Sequence, residues 1–375
     1  MISLSKIVSG EATVSKKITY HNDSDFIPKK LIEFSKSLVP IVVWNITSKC
    51  NLKCVHCYAS PLPTRNELLT EQCFEVVDKL AKFGVPLIIF SGGEPLMRHD
   101  LTEIANYARK KGIKCVLSTN GTLINKDVAE ELSVFDYVGV SLDGIGEAND
   151  KFRGKEGAYK LALTGLLNAS EVTLTGVRFT VTKFNYDQLW KVLNLAWDND
   201  IPRFCLYHLV PAGKADFSYD IDNDLRRSII DSLIGAAEVE GTEILTVDNP
   251  ADGVFAYLKL RDREDADEIL QFLSYRGGDN SGIRLACIDT LGFVHPNQFW
   301  LDHTIGNILE DDFNKIWLGN DDLLRKLREK EKFLKGKCGM CRYKSICGGF
   351  RVRAYRYGDL WGDDPSCYLD PVEIS

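Results

Sequence analysis

From residue 40 onward the chain keeps a rhythm that few folds can accept. Six short runs rich in β-branched and aromatic residues alternate with stretches of helical period. The runs are 41–47 (IVVWNIT), 87–91 (LIIFS), 113–119 (IKCVLST), 137–143 (YVGVSLD), 175–182 (TGVRFTVT) and 204–210 (FCLYHLV). Between them lie amphipathic patterns such as 70–84 (TEQCFEVVDKLAKFG) and 124–133 (INKDVAEELS). Gly84 closes the first and Thr122 opens the second as expected caps. Repeated strand–helix alternation implies βαβ units and a parallel sheet. Right-handed crossovers then leave a doubly wound sheet or a barrel. The loops after these strands hold the unusual chemistry: CNLKCVHC (50–57), SGGEP (91–95), STNG (118–121), SLDG (141–144) and YHLVPAG (207–213). A parallel barrel gathers such loops at one mouth, the carboxyl end of its strands. The fold class expected is therefore α/β, a partial (β/α)6 TIM-type barrel.

After about residue 250 the rhythm stops. Helices are expected at 253–262 and 264–275, a hairpin at 283–300, and a charged helix near 320–333 leading into a cysteine-rich tail. This suggests three blocks: an N-terminal segment (1–39), the barrel (40–250) and a C-terminal extension (251–375), with a boundary between 245 and 280. In the first block, 12–21 (ATVSKKITYH) reads as a short strand or hairpin.

Composition decides how the cysteines are read. With 46 basic against 53 acidic residues, a net charge of −7, nothing points to nucleic acid or an anionic membrane. No apolar run is long enough to span a bilayer, and the first residues carry no apolar signal-peptide core, so a cytoplasmic protein is expected. In that reducing setting the eleven cysteines are not expected to pair as disulfides. They cluster instead: Cys50, Cys54 and Cys57 near the front, Cys338, Cys341, Cys347 and Cys367 in the tail. Two such clusters point to metal sites.

The front motif, Cys-x3-Cys-x2-Cys, offers three thiolates and no nearby fourth ligand. Structural zinc wants four, and His56 is sterically hampered by its neighbour Cys57. Three cysteines suit a [4Fe–4S] cluster with one open iron. This motif after the first barrel strand, followed by Tyr58, resembles the radical S-adenosylmethionine (SAM) enzymes. The resemblance spans about 40–245 and implies that the open iron chelates SAM. It implies that the segment Gly92, Gly93 and Glu94 holds the methionine amino group, and that Ser118, Thr119, Asn120, Ser141 and Asp143 contact ribose and methionine carboxylate. It also implies a one-electron donor such as flavodoxin or ferredoxin.

The tail, Cys338-x2-Cys341-x5-Cys347 followed by Cys367, resembles the auxiliary-cluster extension of the SPASM and twitch subfamilies. The full SPASM pattern holds two auxiliary clusters. Here Cys287 lies too close to Gly292, and Asn297 and Arg351 stand where that pattern has cysteines. The resemblance thus implies one auxiliary [4Fe–4S] cluster, on Cys338, Cys341, Cys347 and Cys367, and two clusters in all. A four-cysteine zinc site is the alternative for the tail. Cys287 is left over, either as a buried core thiol, as a group facing the substrate or as an odd ligand.

Four stretches resemble enzymes that process siroheme-derived tetrapyrroles: 206–215 (LYHLVPAGKA), 247–255 (VDNPADGVF), 291–300 (LGFVHPNQFW) and 348–355 (GGFRVRAY). This implies removal of acetate side chains from didecarboxysiroheme to give Fe-coproporphyrin III, or side-chain removal in heme d1 synthesis. Breaking such a carbon–carbon bond calls for a 5′-deoxyadenosyl radical, with the protein supplying orientation and exclusion of water. A polycarboxylate substrate needs cations, for which Arg153, Lys155, Arg178, Lys214, Arg351 and Arg353 are candidates. His208 and His295 are candidate ligands of the substrate's iron, and Cys287, His208 and Arg178 candidate catalytic residues. A peptide-modifying SPASM enzyme is the alternative, though only about 40 residues precede the first strand, few for a peptide-recognition domain. A plain iron–sulfur electron carrier would need neither the GGEP segment nor an open iron.

Overall fold

The computed structural model describes residues 1–375 apart from Glu11, Arg65 and Glu240. The chain opens with β1 (Ile2–Ser3), α1 (Leu4–Ser9), α2 (Thr13–Ile18) and α3 (Lys29–Ser35). The alternation then runs β2 (Ile41–Thr47), α4 (Thr70–Phe83), β3 (Leu87–Gly92), α5 (Leu101–Lys110), β4 (Lys114–Thr119), α6 (Lys126–Glu131) and β5 (Tyr137–Ser141). It goes on through α7 (Glu147–Arg153), α8 (Ala158–Ser170), β6 (Thr175–Val181), α9 (Leu189–Asp198) and β7 (Arg203–His208). All six expected strands are present. A seventh follows α10 (Asn223–Ala236): β8 (Glu243–Val247), pairing in parallel with β7. Its sequence, EILTV, is short, opens on a charge, and lies where the rhythm was read as ending.

The C-terminal part comprises α11 (Ala251–Leu260), α12 (Ala266–Arg276), β9 (Leu285–Ile288), β10 (Phe293–His295), β11 (Gly306–Asn307), α13 (Phe313–Trp317), α14 (Asp322–Arg328), α15 (Gly336–Met340) and α16 (Arg351–Arg356). It extends the barrel sheet: β9 pairs in parallel with β2, and β10 and β11 add antiparallel strands beyond it. One 11-stranded sheet results, in the order β1-β8-β7-β6-β5-β4-β3-β2-β9-β10-β11.

Alternation along each strand sorts its side chains. Val42, Trp44 and Ile46 of β2 and Phe179 and Val181 of β6 join the large apolar core. Asn45, Arg178 and Cys287, at the alternate positions of β2, β6 and β9, point the other way, into the barrel. Each large apolar side chain buried in that outer core contributes about 1.5–3 kcal/mol.

The N-terminal segment departs from the short strand or hairpin expected at 12–21. Thr13–Ile18 is a helix, and its Val14 and Ile18 pack with Leu87, Val116 and Tyr137 in a small cluster of their own. Their i, i+4 spacing puts both on one helical face, which closes the amino-terminal end of the barrel. The buried Glu243 carboxylate pins this plug by accepting from the backbone N–H groups of Val14 (3.2 Å) and Ser15 (3.0 Å) while paired with Arg203 (2.7 Å). A carboxylate at a helix N-terminus satisfies free N–H donors. A second correction concerns α6. Asn125, not Thr122, caps it, through a 2.8 Å bond from Val128 N–H.

Candidate active site

The cysteine loop lies at the carboxyl end of β2 and is bound on two sides. On one side Gly93 N–H donates to the Thr47 carbonyl and Glu94 N–H to the Lys49 carbonyl, both at 2.7 Å. A Cβ on Gly92 would lie 2.3 Å from Thr47 O, and one on Gly93 would lie 2.2 Å from Lys49 O. The two glycines are thus the condition for β3 to run flush against the loop that carries Cys50. On the other side, Lys53 and Val55 N–H groups donate to the carbonyls of Arg153 and Phe152 at the end of α7. His56 stacks on Phe152 with ring centroids 4.4 Å apart, and burial, with Arg153 nearby, holds its basicity far below the usual value. It is a neutral packing residue.

Glu94 is buried, which pushes its carboxyl up, yet both its oxygens are in use. One accepts from Thr119 Oγ1 (2.7 Å) and Leu96 N–H, the other from Asn120 N–H (2.7 Å). Asn120 then donates to Asn51 (2.9 Å), next to Cys50, and accepts from Thr122. The ends of β3 and β4 and the cysteine loop form one hydrogen-bonded platform. The Ser118 hydroxyl accepts from Arg178, and Ser141 ends β5 half-buried beside Arg178 in the next strand. Asp143 is fully buried, accepts from Thr180 N–H (2.7 Å) and pairs with Arg153.

Arg153 is the residue that sequence reasoning placed least well. Read as a partner for substrate carboxylates, it instead bridges Asp143 and Cys54, its Nη1 lying 3.8 Å from the Cys54 sulfur. Its Nε is buried without a hydrogen-bond partner among the described residues. The FRG triplet after SLDG was its only sequence signal. The thiols of Cys50, Cys54 and Cys57 are exposed or half-buried at this mouth. Three thiols, a glycine-lined edge and a buried guanidinium with a spare N–H fit a cluster that leaves one iron open, with a zwitterionic amino acid against it.

Tyr58 turns into the barrel. Its hydroxyl donates to Asn45 Oδ1 (3.2 Å) and lies 2.9 Å from Ser91 Oγ, and its ring meets Phe299 edge-on at 5.3 Å. Asn45 in turn donates to the Cys287 sulfur (3.4 Å). Cys287 is fully buried, and burial with Asp289 close by pushes its thiol far up, so it keeps its proton. Arg178 lies across the barrel over Gly139, where a Cβ would come within 2.1 Å of its Nε. Its guanidinium rests 5.9 Å from the Tyr207 ring, and it forms no ion pair among the described residues.

Above Tyr58 opens a cavity of about 450 Å³ whose wall includes Pro211, Ala212, Phe299, Asp289 and Arg356. Of the other proposed cations, Lys155 is exposed beyond α7, and Lys214 is exposed with its N–H on the Cys57 carbonyl. Two proposals are overturned. Arg351 is fully buried in the tail, donating to the Leu360 and Gly362 carbonyls and to Cys338 sulfur (3.6 Å). Arg353 is equally buried, pairs with Asp364 (3.3 Å), and donates to the carbonyls of Leu209 and Asp248, clamping α16 to the ends of β7 and β8. Neither has a free face for a substrate. His208 is also corrected. One ring nitrogen meets Asp252 and the other Arg226, each at 2.8 Å, and the ring is buried, so it has no lone pair for an iron. Tyr368 completes this network on Asp252 (2.7 Å), tying the tail beside Cys367 to the barrel.

Cys338, Cys341, Cys347 and Cys367 line a single tail cavity with Lys337 and Lys344. Backbone N–H groups of Tyr343 and Gly349 point at the sulfurs of Cys341 and Cys347 (both 3.4 Å). Asn297, at one of the missing-cysteine positions, is spent on Ser281 (2.6 Å) and Phe299 N–H (2.8 Å). Among the described residues no three His, Cys, Asp or Glu side chains converge closely enough for a single metal ion. No helix is long and apolar enough to cross a membrane.

Residues 44–196 match the model of the radical SAM superfamily. Over its full length the chain is 43% identical to Fe-coproporphyrin III synthase of Methanosarcina barkeri, covering 99% of that protein. It is 40% identical to pre-heme d1 synthase of Dinoroseobacter shibae, over 89% of this chain and 87% of that one. In architecture it is similar to Streptococcus suis SuiB bound to S-adenosylmethionine, with a TM-score of 0.70 over 93% of this chain and 82% of that one, at 21% identity. The fold, the cysteine loop and these matches agree: the chain belongs to the radical SAM superfamily and is an S-adenosylmethionine-dependent enzyme with a [4Fe–4S] cluster.

Proposed function

We propose that the chain removes the two acetate side chains of 12,18-didecarboxysiroheme to give Fe-coproporphyrin III. The observation that carries this is where the similarity to tetrapyrrole enzymes falls. The stretches 206–215 and 291–300 supply Pro211, Ala212, Gly213, Ala215 and Phe299, which wall the cavity above Tyr58. That likeness lies on the substrate side of the barrel and accompanies 43% identity, end to end, to an Fe-coproporphyrin III synthase. A peptide-modifying activity has weaker support, since likeness to SuiB at 21% identity is a likeness of fold.

In this reading Cys50, Cys54 and Cys57 hold the SAM-binding cluster, and Gly92, Gly93, Glu94, Ser118, Asn120, Ser141, Asp143 and Tyr58 shape the SAM pocket. Arg153 joins them as a cation for the methionine carboxylate. When bound, cluster and SAM supply the radical that takes a hydrogen atom from the substrate. Arg178, a half-buried guanidinium without a counter-ion among the described residues, is offered to a carboxylate of the bound molecules. Tyr58 and Phe299 shield the reacting centre from water. Cys338, Cys341, Cys347 and Cys367 hold a second [4Fe–4S] cluster. All four line one space, and backbone N–H groups aim at the sulfurs of Cys341 and Cys347, as thiolate ligands of such a cluster need. The blocks 1–39, 40–250 and 251–375 then serve as plug, SAM barrel and auxiliary-cluster extension. The enzyme takes electrons from a carrier of the flavodoxin or ferredoxin class and works in the cytoplasm.

The test is anaerobic incubation with SAM and dithionite against a panel: didecarboxysiroheme, other siroheme-type compounds and a peptide. The absorption spectrum of didecarboxysiroheme should change to that of an iron porphyrin. An unchanged spectrum for every tetrapyrrole, with the peptide modified instead, would overturn the reading.

A further inference from the structure

We propose that Asp289 and His295 hold one proton between them on the cavity wall and deliver it to the side-chain fragment as that fragment leaves the macrocycle. This rests on the acetate-removal reading above. Asp289 follows β9 and lines the cavity. Its Oδ1 accepts from the N–H groups of Leu291 and Phe293, both at 2.9 Å, which fixes the carboxylate in the turn. Its Oδ2 faces Nε2 of His295 at 3.6 Å. His295 stands on β10, directly across from Cys287, and is 1% exposed.

The proton follows from the hydrogen bond on the other side of the ring. His295 Nδ1 lies 2.9 Å from the carbonyl oxygen of His303. A carbonyl only accepts, so Nδ1 carries a hydrogen. A neutral ring would then turn the bare lone pair of Nε2 toward a carboxylate oxygen, two acceptors facing each other in a buried site. Nε2 has no hydrogen-bond partner among the described residues. One proton carried by the pair, on Nε2 or on Oδ2, turns this repulsion into an attraction across 3.6 Å, and it also lets a polycarboxylate substrate lie against Asp289. The remaining charges on that wall, Asp302 and Arg356, are paired with each other (2.9 Å) and are not free to serve.

The chemistry has a use for this proton. Once the substrate has lost a hydrogen atom beside the acetate-bearing carbon, the carbon–carbon bond to the side chain breaks homolytically. One electron of that bond completes a ring double bond, and the other leaves on a carboxymethyl radical. To become acetate that radical gains one electron, from the low-potential carrier that also drives SAM cleavage, and one proton, which forms the new C–H bond. Asp289 lines the space where the fragment is released, and the pair regains its proton from water in that cavity before the second side chain is cut.

The test compares wild type with Asp289→Asn and His295→Gln in deuterium oxide, measuring porphyrin and acetate per 5′-deoxyadenosine by mass spectrometry. Wild-type acetate should carry one solvent deuterium, and product per deoxyadenosine should fall ~10²-fold in each variant, the usual worth of a positioned acid. A binding titration by absorbance, without SAM, supplies a second readout. His295→Gln should weaken the iron tetrapyrrole several-fold, because an unprotonated Asp289 then faces its carboxylates, while Asp289→Asn should not. If wild type makes product and both variants match it in yield per deoxyadenosine, or if the acetate carries no solvent deuterium, the proton relay is wrong and the function stands. If wild type itself releases no acetate, the functional reading falls, and this inference with it.

Discussion

Gly92 shows how one residue can decide whether a cofactor loop forms. Its φ of 123° and a Cβ position 2.3 Å from the Thr47 carbonyl leave no room for a side chain. Gly92→Ala should therefore lose front-cluster iron, measured on the anaerobically purified protein, while tail iron remains. Arg178 makes a different point. An unpaired guanidinium inside a barrel costs stability, so a methionine there should leave the apoprotein no less stable to heat. It should also weaken binding of the carboxylate it faces by about tenfold or more, as lost charged hydrogen bonds do. A drop in melting temperature with unchanged binding of SAM and of tetrapyrrole would make Arg178 a scaffold residue. At this scale spacing told which cysteines come together, since the four of the tail line one cavity. The sequence misled where only residue type was available. Arg351, Arg353 and His208 were read as substrate groups because they are cationic or basic near interesting motifs. Their partners, at Gly362, Asp364 and Asp252, lie 11 to 44 residues away and could not be seen.

The helix α2 is the element whose role the sequence hid most completely. VSKKI alternates well enough for a strand, and its true partners are inward residues of β3, β4 and β5, from Leu87 to Tyr137. Only the assembled barrel has a floor for it to cover. Glu243 holds it there. Burial works against the charge of that carboxyl, but Arg203 and the donors of Ser15 outweigh burial and hold it below the usual range. A carboxyl depressed in the folded state stabilises the fold above its unfolded value and loses that contribution as pH falls through the folded one. Glu243→Gln should thus lower stability at neutral pH, by about 3–5 kcal/mol since Arg203 is left buried and unpaired. The gap to wild type should narrow in acid. Denaturant unfolding of both proteins across pH 3–7 checks this, and a gap independent of pH would mean the carboxylate charge is not what pins α2. The strand β8, whose first residue is Glu243, escaped notice for a related reason. Its leading charge is satisfied by an arginine on β7 and by a helix whose Val14 lies 229 residues earlier, both invisible to local pattern.

Across the whole molecule, one sheet carries the front cysteines at the end of β2 and, through β9, the C-terminal extension beside them. The extension is therefore built onto the barrel, and Arg353, Tyr368 and the His208 network bolt its cysteine-bearing end to β7 and β8. That geometry predicts two independent iron sites in one rigid body. Two [4Fe–4S] clusters amount to ~8 iron per chain. Replacing Cys50, Cys54 and Cys57 together with alanine should leave about half and abolish SAM cleavage. A triple variant that keeps all its iron would refute the assignment of the front loop. Cys338→Ala should remove the other half and greatly reduce product formed per SAM cleaved. Wild-type yield from a soluble variant lacking that iron would limit the tail cluster to bracing the fold. The most direct test of the account is the mass of the tetrapyrrole after anaerobic turnover of didecarboxysiroheme with SAM and a reductant. The account predicts the loss of two acetate side chains, giving Fe-coproporphyrin III, with acetate in the supernatant. Recovery of the starting mass, or loss of propionates with both acetates retained, would contradict it.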